Sequence, residues 1–185
     1  MSMRIISGKY KGRQLHSAKD QSIRPTTDKI KEYIFELLGD FVSDAITLDL
    51  FCGSGSLGLE ALSRGARNVT FLDNSQTSLR VLRRNISLVK LDESFRIIRK
   101  EAEQFLKKNK QPFDLIFADP PFKWDKFDAL LPLVFKPENL TEFGLFVLES
   151  ERSHEIKWEG ETYEVLRQKE FDRSVITFFS RKGAV

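Results

Sequence analysis

The chain has 185 residues, 41% hydrophobic and 31% charged, with one cysteine, Cys52, and two widely separated histidines, His16 and His154. That length suits one domain with a full core. The composition excludes an intramolecular disulfide and a Cys/His metal site, and no apolar run approaches the roughly 18 residues of a membrane span. The net charge of +3 hides an asymmetry, because residues 1–31 hold eight Lys/Arg against Asp20 and Asp28, or +6, and the remainder is −3.

The N-terminus is basic without an apolar h-region, so it does not read as a signal peptide, and the single thiol fits a reducing, cytoplasmic setting. A strongly basic arm on a mildly acidic body is an electrostatic footprint for a polyanion, above all nucleic acid. Residues 3–16 have strand-like stretches around Gly8 and Gly12 and read as a short hairpin or extended arm. Arg24-Pro25-Thr26-Thr27 then stops the chain and starts a helix, a threonine serving as N-cap. Ile30, Tyr33, Ile34, Leu37 and Leu38 form one apolar stripe on that helix, and Gly39 ends it.

From residue 45 strands and helices alternate. Strands are expected at 46–51, 69–72, 95–98, 113–118 and 144–148, and helices at 56–64, 76–90, 101–108 and 125–134. Gly65 supplies the stop after the first of these helices. Two further strands, 162–166 and 175–180, have no helix between them and should pair antiparallel. The pattern predicts a parallel α/β sheet with helices on both faces, made mixed by its last two strands. The division expected is an arm at 1–24 that contacts nucleic acid and a catalytic domain at 25–185.

Two loops carry the chemistry. Asp49-Leu-Phe-Cys-Gly53-Ser54-Gly55-Ser-Leu-Gly58 runs off the first strand of the alternation into a helix. Its glycines let the backbone approach a ligand, and the helix start offers free N–H groups. Asp73 ends the next strand, placed for ribose hydroxyls. A dinucleotide and S-adenosylmethionine both fit such a loop. Asp49 favours the latter, since a carboxylate opposes a pyrophosphate but suits a ligand bearing an ammonium and a sulfonium; its alternative role is to cap the turn. The second loop, Asp119-Pro120-Pro121-Phe122, follows the fourth strand of the alternation. Two prolines stiffen it and leave carbonyls as its free groups. Asp119 and the Pro120 carbonyl can accept both hydrogens of an exocyclic amine while Phe122 stacks on the ring; the alternative is a plain proline turn.

Together these loops resemble those of S-adenosylmethionine-dependent methyltransferases that act on exocyclic amines. More narrowly, MRIISGKYKGRQL, RPTTDKIKEYIF, LDLFCGSGSLGLEALSRGA, FDLIFADPPF and KEFDRSVITFF resemble the RsmD family of 16S ribosomal RNA guanine-N2 methyltransferases, over residues 3 to 179. Ser7, Cys52, Ser56, Asp73 and Asp172 depart from the usual family residues. The resemblance implies a Rossmann-like class I methyltransferase fold with a mostly parallel seven-stranded sheet, an antiparallel C-terminal hairpin and a basic N-terminal arm. It also implies S-adenosylmethionine as cofactor, no metal, and a monomer acting on ribosomal RNA or the assembling small subunit. Asp49 would then lie near the methionine moiety, Asn74 beside the ribose, and Glu101 with Ala102 near the adenine amine; for Glu101 a helix first-turn acid is the competing role. Lys9, Lys11, Arg13 and Arg24 would meet phosphates and Tyr10 would stack on a base, although Arg24 could instead pin the segment before its helix. Competing readings are an adenine-N6 methyltransferase, an RNA-binding assembly factor that has lost its chemistry, and a nicotinamide dehydrogenase.

Overall fold

A computed structural model describes residues 3–17, 27–122, 124–154 and 161–183. The chain begins with a small hairpin, β1 (Met3–Arg4) against β2 (Gln14–Leu15), with Met3 opposite Leu15. Helix α1 (Asp28–Leu38) starts at Thr27, whose hydroxyl accepts the Ile30 N–H at 3.3 Å, and ends at Gly39. Arg24, Pro25 and Thr26 lie outside the described residues, as does the expected boundary at residue 24.

The alternation follows as β3 (Ile46–Leu50), α2 (Ser56–Ser63), β4 (Asn68–Asp73), α3 (Gln76–Val89), β5 (Ser94–Arg99), α4 (Ala102–Leu106), β6 (Phe113–Ala118), α5 (Phe127–Val134) and β7 (Leu140–Glu151). The last two strands are β8 (Tyr163–Phe171) and β9 (Ser174–Arg181). One seven-stranded sheet results, in the order β5-β4-β3-β6-β7-β9-β8. Pairing is parallel from β5 to β7, and β9 runs antiparallel to both β7 and β8. This is the Rossmann-like architecture expected. β3 lies between β4 and β6, so chain order reverses at β3 and the carboxyl ends of β3 and β6 open a crevice.

Each face of the sheet has its own core. α1–α3 cover one, with Phe35, Leu59, Leu62, Phe71, Leu82 and Phe117 buried together. α4 and α5 cover the other, with Leu48, Leu106, Leu130, Phe135, Phe146 and Phe179. Helix α2 closes through paired bonds, Ala66 N–H to Ala61 O at 3.0 Å and Gly65 N–H to Leu62 O at 3.1 Å, the double closure that a glycine after the helix permits.

Three expectations change. The buried face of α1 is Ile30, Lys31, Ile34, Phe35 and Leu38, and Leu37 is 38% exposed. The face turns because Lys31, a residue normally left in water, is wholly buried with partners. Its ammonium donates to Arg4 O and lies 3.9 Å from buried Glu60. Second, β7 begins at Leu140 rather than 144: its pairing with β6 jumps from Phe113↔Leu140 to Leu115↔Leu145, and that irregularity masks the alternation. β8 likewise runs on to Phe171 as an edge strand whose later residues are exposed and polar.

Third, the N-terminal segment is not a free arm. Met3, Ile5, Tyr10 and Leu15 belong to the same core as α1–α3. Glu60 accepts the N–H groups of Ile6 at 2.7 Å and Ser7 at 3.0 Å, and Ser63 O accepts that of Lys9 at 2.8 Å. These bonds satisfy backbone groups that would otherwise be orphaned against the body.

Candidate active site

The crevice is built outward from β3. Phe51 leaves the strand with φ +58°, a left-handed conformation that costs a phenylalanine about 1–3 kcal/mol and persists only where the surroundings impose it. Those surroundings are specific. The Cys52 N–H is held by Leu72 O at 3.0 Å, and the Phe51 ring meets Trp124 edge-on at 5.2 Å. The loop then turns into α2 through Gly55, with φ +85°, where a Cβ would lie 2.4 Å from Leu82 Cδ1. At Gly58 a Cβ would stand 2.3 Å from the Phe71 ring, so glycine is what lets α2 lie flat on β4.

Gly55 is the N-cap of α2 and has no side chain to cap it. Asp49 substitutes: its Oδ2 accepts the Gly58 N–H at 3.0 Å. Asp49 is buried, and burial first, with the Asp73 charge adding to it, pushes its carboxyl up to about 7; the Gly58 bond opposes the shift. Asp73 accepts the Gly53 N–H at 2.9 Å and the Ser75 N–H at 2.7 Å, so one carboxylate joins the glycine loop to the start of α3. Burial raises its pKa as well, against the pull of those N–H groups. Farther along the rim, Asn74 Nδ2 donates to Glu101 Oε1 at 2.8 Å. Glu101 occupies the N-cap position of α4 without capping it, so its carboxylate is spent on the rim rather than on the helix.

A cleft of about 1110 Å³ runs from these residues to the second loop. Its wall includes Asp49, Gly53, Ser54, Asp73, Asn74 and Glu101 at one end and Asp119, Pro120, Pro121 and Phe122 at the other. Phe122 is 61% exposed, a large ring presented to the outside. Gly55 and Ala102 are buried and are not on the wall.

The sequence reading missed part of this wall. Trp124 packs edge-on against Phe127 at 4.8 Å, and Phe127 against His154 at 5.3 Å, extending the aromatic surface past Phe122. A tryptophan three residues after Pro121 was the available signal, and in the fold its main-chain N–H closes the turn on Pro121 O at 3.0 Å. Arg152, His154, Asp172 and Arg173 arrive from the ends of β7 and β8 and the turn into β9, and nothing local announced them.

Of the residues expected to meet RNA, the described ones, Lys9, Tyr10, Lys11 and Arg13, do not line the cleft. Tyr10 is corrected: its ring is 3% exposed and its hydroxyl donates to Asp92 and Glu93, so it has no face for a base. The Lys9 ammonium sits 2.5 Å from Asp92 and 2.8 Å from Glu93, which raise its pKa and neutralise its charge; Asp92 is lowered to about 2 in return. Arg13 donates to Val89 O and lies over the Tyr10 ring. Lys11 remains exposed, and Arg24 lies outside the described residues. Two of the eight basic residues, Lys9 and Lys31, are therefore matched inside the fold by carboxylates distant in sequence.

The donor set fits S-adenosylmethionine. Asp49, Asp73 and Glu101 crowd the glycine-loop end, whereas the basic wall residues Lys126, Arg152 and Arg173 come from the start of α5 and the strand ends beyond β6. Asp49 and Asp73 are buried carboxylates with raised pKa values, which an ammonium with a sulfonium would relieve; a pyrophosphate would aggravate the repulsion. Among the described residues no cluster of three His, Cys, Asp or Glu could hold a metal ion, and no helix is long and apolar enough to cross a membrane.

Comparison with known proteins agrees with that chemistry. The family model described as "Conserved hypothetical protein 95" matches residues 3–180. YlbH of Bacillus subtilis is 36% identical over 184 residues, covering 98% of this chain and 100% of the relative. Ribosomal RNA small subunit methyltransferase D of Haemophilus influenzae is 37% identical over 153 residues, 81% of this chain and 79% of that protein. The solved structure of YhhF from Escherichia coli superposes with a TM-score of 0.85 at 30% identity, covering 98% of each chain. From glycine loop to C-terminal hairpin, the chain belongs to the RsmD family of S-adenosylmethionine-dependent methyltransferases.

Proposed function

We propose that this protein methylates the exocyclic N2 of a guanine in small-subunit, 16S ribosomal RNA. The observation that carries the reading is the shared cleft: the acceptor loop Asp119–Phe122 opens onto the same cavity as the glycine loop and Asp73. The rRNA substrate follows the relatives named ribosomal RNA small subunit methyltransferase D. S-adenosylmethionine, when bound, supplies a methyl group on positively charged sulfur, already activated for displacement without a metal.

The chain's own residues do the rest. Asp49 meets the ammonium, Asp73 and Asn74 the ribose, and Glu101 with the main chain at Ala102 the adenine. At the acceptor end the guanine N2 is a poor nucleophile because its lone pair is conjugated with the ring. Asp119 and the Pro120 carbonyl accept its two hydrogens and so favour a pyramidal nitrogen. Asp119 then takes the proton released as the N–C bond forms, a role worth about 10²–10⁴-fold. Phe122 stacks on the base, which must leave its own stack to reach the cleft. Its exposure suits that role, since a ring already buried would have no face to offer. Lys11, with Arg24, meets phosphate. The proposed division of labour keeps residues 1–24 for RNA contact and 25–185 for the reaction, in the cytoplasm, as a monomer.

Radiolabelled cofactor offered with 16S ribosomal RNA, free and within small subunits, tests this. Label recovered as N2-methylguanine is the expected result. Label on adenine N6 would give the activity to the competing amine, and no transfer to any RNA would leave a binding protein.

A further inference from the structure

Asn85 belongs to neither loop, yet its side chain joins the glycine loop to the N-terminal hairpin. It is fully buried on α3. Its Oδ1 accepts the His16 N–H at 2.8 Å, and its Nδ2 donates to His16 O and to Ser54 O, both at 2.9 Å. Towards His16 the amide behaves as a strand neighbour would, taking both main-chain groups of one residue. Its remaining hydrogen goes to Ser54, which lies on the cleft wall.

The Ser54 carbonyl and the Gly55 N–H belong to one rigid peptide plane. That N–H donates to Cys52 O at 2.7 Å. Asn85 therefore holds one end of the plane and Cys52 the other, and between them they fix the peptide that precedes the left-handed Gly55. A second contact joins the same segments, Ser54 Oγ to Met3 Sδ at 3.7 Å. α3 itself starts at the cleft, with Ser75 and Ser78 on the wall. A displacement of the hairpin at His16 has a short path, through one buried amide, to the peptide that shapes the cofactor loop.

We propose that Asn85 is a positioning residue through which the N-terminal hairpin sets the affinity of the glycine loop for S-adenosylmethionine. The hairpin is then part of the cofactor-binding machinery as well as a neighbour of the RNA. Two segments coupled in this way perturb each other equally at equilibrium, so binding is the proper readout.

The test is calorimetric titration of the full-length chain with S-adenosylhomocysteine, alongside thermal unfolding. Asn85→Ala should weaken binding about tenfold or more. His16→Pro removes the N–H that Asn85 Oδ1 accepts, while also fixing φ at 16 and restricting Leu15, at a residue whose side chain is exposed and does not line the cleft. It should weaken binding about fivefold, and the double variant should bind no worse than Asn85→Ala, because both changes cut one link. Phe135→Leu, in the core on the opposite face, should lower the melting temperature and leave the affinity unchanged, which separates positioning from general loss of stability. His16→Pro binding like the parent overturns the proposal, as do losses that add independently in the double variant. Should Asn85→Ala fail to fold, His16→Pro against Phe135→Leu decides it. A parent chain that does not bind S-adenosylhomocysteine also overturns it, and with it the cofactor assignment.

Discussion

The two ends of the cleft are built on different principles. At the glycine-loop end the carboxylates are already committed to the backbone, Asp49 to Gly58 and Asp73 to Gly53 and Ser75. At the acceptor end a stiff proline turn presents Phe122, which is largely exposed, with Trp124 and the buried Phe127 behind it. One end is organised before any ligand arrives; the other offers surfaces that a substrate has to cover. Preorganisation lowers the ordering cost of binding, so damage at the first end should appear in cofactor affinity and damage at the second in turnover and substrate recognition.

The largest effect should come from Asp119→Ala: a fall in kcat of about 10²–10⁴-fold with S-adenosylhomocysteine affinity nearly unchanged, read by single-turnover kinetics and calorimetry. An equal loss of both would erase the contrast between the ends. Asp49→Asn should do the opposite, weakening S-adenosylhomocysteine by about 1.5–3 kcal/mol, the worth of a charge-assisted hydrogen bond. It should also remove a pH dependence. The Asp49 carboxyl stands near 7 in the fold against an ordinary 3.8, so its neutral form is the one folding favours. Stability from this group is complete below pH ~4 and is lost as pH rises through ~7. Cofactor affinity has the reverse slope, rising through the same window as the anion that meets the ammonium forms. Denaturant melts and titrations at several pH values should give both slopes in the parent, and Asp49→Asn should lose the Asp49 share of each, leaving what the raised Asp73 carboxyl contributes.

Phe122→Ala should cost about 1–3 kcal/mol of RNA binding, the value of one stacked base, with the melting temperature unchanged because the ring is already outside. The smallest contrast lies in the hairpin. Lys11→Ala should flatten the salt dependence of RNA binding by about one counterion, whereas Lys9→Ala should leave the slope alone because Asp92 and Glu93 already neutralise it. Equal slopes in the two variants would mean that RNA displaces the internal pairing.

What could be read from the chain alone divides on the same line. Periodicity located every strand of the sheet because central strands such as Phe113–Ala118 are apolar but for a single residue, Asp114, and glycine and threonine marked the helix ends. Both loops were legible because their residues are contiguous. Trp124 was within reach, two residues past the second loop, whereas His154 and Asp172 were not, since they join the cleft only when β7 lies beside β6 and β9 brings its turn from β8 up to it. The N-terminal basic residues misled for the same reason. Composition counts charges, and the carboxylates that answer Lys9 stand at positions 92 and 93.

Lys31 and Glu60 impose a rule on how this sequence can drift. Both side chains are sealed from solvent, and Glu60 also carries the Ile6, Ser7 and Arg64 donors. Losing either partner strands an ion at a cost of about 3–5 kcal/mol, and exchanging both for apolar groups of similar size removes that cost but still orphans the Ile6 and Ser7 N–H groups and the Arg4 carbonyl. Substitutions at 31 and 60 should thus travel together through descendants of this chain, and a lysine retained opposite a lost acid would mark a lineage in which the hairpin has come away from the body.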